Sequence, residues 1–143
     1  MAPYRIISVG NRTIASDAAG PRIFDELSKR VLPENVDLID GGLAGLDLIG
    51  FIPGAKRVVF VDAMNGLGEG DAFIVMGRDS AAAGALDHYG HSAGLPYLMR
   101  VLPEILGNEL PEILVLAVGE KANGEAISLA ADECLSLALE GLR

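Results

Sequence analysis

Cysteine occurs once, as Cys134, so no internal disulfide can form and no thiolate cluster can hold a metal. Tryptophan is absent and aromatic residues make up 5%, which leaves Leu, Ile, Val and Ala to fill the interior of the 143-residue chain. Basic residues are also scarce: 11 Lys and Arg against 20 Asp and Glu give a formal net charge of −9. Such an excess repels phosphate backbones, and no Lys/Arg cluster offsets it, so neither nucleic acid nor an anionic membrane is an expected partner. A cation, or a partner with a basic patch, fits the charge better. No apolar run approaches the roughly 18 residues of a membrane span. The opening Met1-Ala2-Pro3-Tyr4-Arg5 has neither the basic nor the apolar region of a signal peptide, and a cytoplasmic protein is expected. Repeats, low-complexity tracts and linkers are missing, which predicts a single domain over residues 1–143. So are a G-x-S-x-G elbow, an H-E-x-x-H helix and a P-loop.

What is present is a regular alternation of short apolar runs with helical patterns. Ile6 to Val9 reads as the first strand, and Ile23, Phe24, Leu27 and Val31 recur at helical spacing after Pro21. Val36 to Ile39 is a second strand, followed by a short helix within Leu43 to Ile52 that stops before Pro53-Gly54. Val58 to Val61 is the most β-prone run and reads as a central buried strand. The next, Ala72 to Met76, follows a connection too short for a helical crossover, which needs about a dozen residues, so it is expected to run antiparallel. Leu95, Leu98, Met99, Leu102 and Ile105 make the inner face of a helix, and Ile113 to Val118 is the fifth strand. From about Gly124 the last helix buries Ile127, Ala130, Ala131, Cys134, Leu135, Ala138 and Leu142. The expected fold is α/β: a three-layer sandwich, with a mostly parallel five-stranded sheet, one antiparallel strand and helices on both faces.

In such sheets ligands bind outside the carboxyl ends of the parallel strands. Asp17, Asp40 and Asp62 follow the first, second and third strands, and the loop holding His91 leads into a helix that can lie over the same edge. Each has a plainer reading. Asp17 can cap the first helix, which starts anywhere from Ser16 to Pro21. Asp40, before Gly41-Gly42, is of a type common in turns. Asp62 is harder to set aside, because it follows four apolar residues where a carboxylate costs burial energy unless partnered. His88 and His91 form a His-x-x-His pair in a glycine-bearing stretch, a weak metal signal beside the ordinary solvated loop histidine. Cys134 lies on an apolar helical stripe and reads as core. The run Gly41 to Gly45 is only loosely like a phosphate loop and lacks G-x-G-x-x-G spacing. The stretch Val9 to Pro21 is longer than the two to six residues, roughly, that a strand-to-helix connection needs.

The blocks Gly10-Asn11, Asp17 with Gly20 and Arg22, Asp40-Gly41-Gly42 with Gly45, Val61-Asp62-Ala63, and His91 with Gly94-Leu95 stand in an order that resembles the maturation endopeptidases of [NiFe] hydrogenases. The resemblance runs from the first strand to the last helix. It implies a protease that removes a short C-terminal extension from the nickel-loaded precursor of the hydrogenase large subunit. It also implies nickel ligation by Asp17, Asp62 and His91, and presentation of the substrate tail by Asp40, Gly41, Gly42 and Gly45. Nickel would be the recognition element and would arrive with the substrate; no nucleophile is implied. The long first loop would then serve to carry a carboxylate to the sheet's edge. Imidazole and carboxylate donors suit a borderline ion such as Ni²⁺, and three protein ligands leave coordination positions open. Two residues depart from the family pattern: Ser16 replaces the first of two adjacent acidic residues, and Leu43 replaces a Thr after Asp-Gly-Gly. Two other readings stand beside the protease. One is a nickel-dependent module that checks the precursor without cutting it; the other is a doubly wound nucleotide or phosphosugar enzyme using Gly41 to Gly45, which the net charge of −9 disfavours.

Overall fold

The computed structural model describes residues 1–43, 45–64, 73–85 and 94–142. Its centre is a five-stranded sheet of β1 (Tyr4–Ser8), β2 (Val36–Asp40), β3 (Arg57–Met64), β4 (Phe73–Gly77) and β5 (Glu112–Gly119), in the order β2-β1-β3-β5-β4. The first four in that order are parallel, and β4 pairs antiparallel with β5, from Phe73 opposite Val118 to Gly77 opposite Leu114. This is the mixed sheet expected from the short connection; residues 65–72 of that connection lie outside the described residues.

Alternation along the strands sorts the core onto two faces. Ile6, Val59, Val61, Leu114 and Leu116 meet α1 (Ala19–Ser28) and α4 (Gly124–Glu140). Ile7, Val58, Phe60, Val115 and Ala117 meet α3 (Gly94–Leu106) and the 3₁₀ segment Leu46–Phe51. β3 and β5 are apolar on both faces, as central parallel strands must be when helices cover each side. Cys134 is fully buried in the first of these clusters.

Three residues expected inside are outside. Val31 lies beyond the end of α1, whose C-cap is Lys29, and is fully exposed. Leu142 follows Gly141, whose φ of 77° ends α4, and Ile105 falls in the last turn of α3 after Pro103; both are exposed. Leu135 and Phe24 are half-buried at the margins. The strand limits also shift: β1 spans Tyr4–Ser8, and β3 continues through Asp62 to Met64.

Pro103 stands inside α3 and has no N–H to give the carbonyl of Met99, four residues back. Arg78, in the short helix α2 (Arg78–Ser80), supplies the missing donor: its Nη1 lies 2.8 Å from Met99 O. Arg100 Nε returns the contact to Ala82 O at 2.8 Å. The proline is tolerated because an arginine from a neighbouring element satisfies the carbonyl it leaves open.

Candidate functional site

The strand order places a switch point between β1 and β3. From β1 the chain crosses by α1 on one face to β2, then by the Leu46–Phe51 segment on the other face to β3. Connections diverging to opposite faces leave a crevice at the carboxyl ends of the two strands between them. β1 ends at Ser8 opposite Val61, so Asp62 is the first residue of β3 beyond that end, while β5 continues beside it with Ala117 opposite Asp62. Asp62 is 1% exposed and shares the sheet face of Phe60 and Met64; its Oδ1 accepts from the Ala63 N–H at 2.8 Å.

Asp17 reaches the same edge by a loop that builds its own support. Val9 N donates to Val61 O at 2.8 Å, keeping the chain on β3 as it leaves β1. Asn11 Oδ1 then accepts from the backbone N–H and the hydroxyl of Thr13, at 2.9 and 2.7 Å. Ile14 N donates to Asn11 O, and Asp17 N to Ile14 O, closing the 3₁₀ turn Ala15–Asp17. That turn packs against β3. Asp17 is 5% exposed, and both its Oδ2 and its carbonyl oxygen accept from Asn11 N at 3.0 Å. It does not cap α1: the N-cap position is Ala18, with no side-chain bond. The extra length of the loop is the length needed to make this turn and bury the carboxylate.

Two glycines make the approach possible. A Cβ on Gly20 would lie 2.2 Å from Val9 O and 2.9 Å from Val61 O, so only glycine lets the first turn of α1 sit on the ends of β1 and β3. Gly10, with φ of 146°, would place a Cβ 2.3 Å from Asp17 O.

The loop after β2 is bound to the first loop: Gly41 N donates to Ser8 O and Gly10 N to Gly42 O, both at 2.8 Å. Over this junction lies an open cleft of about 320 Å³ lined by Gly10, Asn11, Arg12, Asp40, Gly42 and Leu43. Asp40 is half-exposed, its Oδ2 3.3 Å from Arg12 and its Oδ1 accepting from Gly42 N at 3.3 Å. Arg12 also pairs with Asp25 at 2.7 Å and lies 5.9 Å over the ring of Phe24. The hydrogen bond to Asp25, then that to Asp40, raises the guanidinium pKa above its ordinary value, so Arg12 stays charged.

Of the residues expected at the site, Asp17 and Asp62 come to one sheet edge, and Asp40 and Gly42 line the cleft beside it. Gly41 has a packing role instead: a Cβ there would meet Ser8 O at 2.6 Å and Ile7 Cγ2 at 2.8 Å. Gly45 is extended and leads into the Leu46–Phe51 segment, away from the cleft lining. His88 and His91 lie outside the described residues; among the described residues no group of three or more His, Cys, Asp or Glu is placed to hold a metal ion. Nor is any described helix long and apolar enough to cross a membrane. Arg12 was given no role by the sequence, and Asn11 entered only within the Gly10-Asn11 block of the resemblance, although Asn11-Arg12-Thr13 carries the signal of an Asx turn.

Residues 21–139 match the family model described as hydrogenase maturation protease. The chain is 35% identical over 60 residues to the hydrogenase 2 maturation protease of Escherichia coli K12, a match covering 41% of this chain and 37% of that protein. It is 34% identical over 61 residues to the hydrogenase expression/formation protein HupD of Bradyrhizobium diazoefficiens, covering 42% of this chain and 32% of the relative. The matched stretches thus span about a third of the length of these two relatives. The solved structure of the hydrogenase maturating endopeptidase HybD from E. coli superposes with a TM-score of 0.70 at 22% identity, covering 97% of this chain and 91% of that one.

Proposed function

The chain belongs to the hydrogenase maturation protease family, and from that premise we propose that it is a cytoplasmic endopeptidase that removes the C-terminal extension of a nickel-loaded [NiFe]-hydrogenase large-subunit precursor. The observation that carries this reading is the burial of Asp17 and Asp62 on adjoining elements at the switch point, beside an open cleft. Two acceptor-only groups at one edge of a protein of net charge −9 favour a substrate that brings a cation. Nickel is here part of the substrate. Asp17, Asp62 and His91 would add two carboxylate oxygens and one imidazole nitrogen to it, a donor set compatible with Ni²⁺. Asp40 and Gly42 would hold the tail in the cleft, while Gly41 and Gly45 shape the loop that carries them.

Cleavage of a nickel-loaded precursor tests the reading. Wild type and His88→Ala are expected to release the extension, while Asp17→Asn, Asp62→Asn and His91→Ala fold and fail to do so. Processing that survives His91→Ala and is lost with His88→Ala overturns the ligand assignment. The non-cleaving reading is favoured by one feature: Leu43, exposed on the cleft lining, stands where the family pattern has a hydroxyl. A wild-type protein that binds the nickel-loaded precursor and leaves it intact establishes that reading instead.

A further inference from the structure

We propose that the side-chain amide of Asn11 is the donor by which the cleft holds a main-chain carbonyl of the bound peptide, next to the Asp17 carboxylate. The inference rests on the reading of this cleft as the precursor's site. The orientation of the amide follows from its partners. The backbone N–H of Thr13 can only donate, so the group 2.9 Å from it must be the amide oxygen, and the Thr13 hydroxyl at 2.7 Å shares that acceptor. The NH₂ is thereby turned away from Thr13, and it has no acceptor among the described residues. Asn11 is half-buried and lines the cleft.

The other polar side chains of the cleft are engaged: Arg12 with Asp25 and Asp40, and Asp40 with Arg12 and Gly42 N. A pair of N–H donors held by two bonds on the oxygen side is preorganised, and a peptide carbonyl supplies the acceptor it lacks. A carboxylate is the poorer candidate, because Asp17 and Asp40 flank the position. The same residue that presents the amide gives its backbone N–H to Asp17 Oδ2. One residue therefore sets the distance between the gripped backbone and the carboxylate.

The test compares Asn11→Ala, Asn11→Asp and Thr13→Ala in processing of a nickel-loaded precursor, with Tm measured for each. Asn11→Asp keeps the acceptor for Thr13 but loses the donor; Thr13→Ala keeps the amide and its bond from the backbone N–H. Both Asn11 variants are expected to raise KM about tenfold, the size of one lost hydrogen bond, with kcat within about twofold because carbonyl binding is common to ground and transition states. Thr13→Ala should leave KM unchanged. An Asn11→Ala protein with wild-type KM overturns the inference, as does an equal rise in KM for Thr13→Ala, which would reduce Asn11 to loop support. A wild-type protein that leaves the precursor uncut and unbound overturns the reading of the cleft itself, a result distinct from a working wild type indifferent to Asn11.

Discussion

At the amino end of the sheet the buried charge among the described residues is Arg5, 3% exposed, whose Nε donates to Ala2 O at 2.8 Å and whose Nη1 donates to Phe51 O at 2.9 Å and Pro53 O at 2.8 Å. At the carboxyl end the buried charges among the described residues are Asp17, in the turn Ala15–Asp17, and Asp62, in β3 beyond the end of β1. The difference is one of partners. Arg5 spends its donors on three carbonyls of two chain segments and ties the end of the Leu46–Phe51 segment to β1. The carboxylates cannot donate, and they gather negative charge where the fold leaves an opening. One end of the same strands holds the fold together, and the other is the end at which the proposed function places the ligand.

The sharpest break of that comparison is Asp62→Asn. The amide is isosteric and still offers an oxygen to the Ala63 N–H, so the fold should persist with Tm within a few degrees. Processing should fall at least about a hundredfold, the range for loss of a preorganised electrostatic group. Retained activity would leave the carboxyl end without its distinguishing chemistry.

Arg5→Met should do the reverse. The thioether fills the space but leaves carbonyls at Ala2, Phe51 and Pro53 without their buried donor, which costs about 3 kcal/mol. Urea unfolding measures the loss, and activity per folded molecule should stay within about twofold. A full-stability Arg5→Met protein with impaired processing would invert the assignment of the two ends.

Cys134 lies between these extremes, buried against α1 and the sheet, away from either edge. Burial, with the nearby Glu133 charge, pushes its thiol pKa up. The unfolded chain therefore loses this proton before the folded one does, and the thiol's contribution is complete below the unfolded value of about 8.5 and is lost as pH rises above it. Cys134→Ala should cost on the order of 1 kcal/mol at pH 7, leave processing intact, and flatten the loss of stability above about pH 9. A folded Cys134→Ala protein that cannot process the precursor would make the thiol part of the chemistry.

How much of this was legible depended on whether a property travels with residue type or with tertiary partners. The strands were, because runs such as Val58–Val61 and Ile113–Val118 announce themselves by apolar content alone. Asp62 was, because a carboxylate after such a run requires an explanation. Val31, Ile105 and Leu142 misled because spacing extends a helical face past the point where the helix ends or overhangs its sheet. The clamp made by Arg5, the donor that Arg78 lends to α3 and the orientation of the Asn11 amide were illegible. Each depends on partners that lie elsewhere in the fold, or on which side of an amide the turn consumes.

Leu43→Thr probes the carboxyl end with the smallest change. Leu43 is 68% exposed on the cleft lining, after the Asp40-Gly41-Gly42 turn, so the substitution removes little buried area. Stability should move by less than about 0.5 kcal/mol, the usual range for surface positions away from special features. What changes is the chemistry of the wall: an exposed isobutyl group beside Asn11 and Arg12 gives way to a hydroxyl that can donate and accept. If the leucine is fitted to an apolar residue in this protein's own substrate, Leu43→Thr should raise KM several-fold with kcat unchanged, since one methylene-scale contact is worth about 1 kcal/mol. A gain in kcat on the same precursor would mean that the departure from the family pattern is a handicap that the hydroxyl relieves, and the cleft would then belong to the cleavage step as well as to recognition.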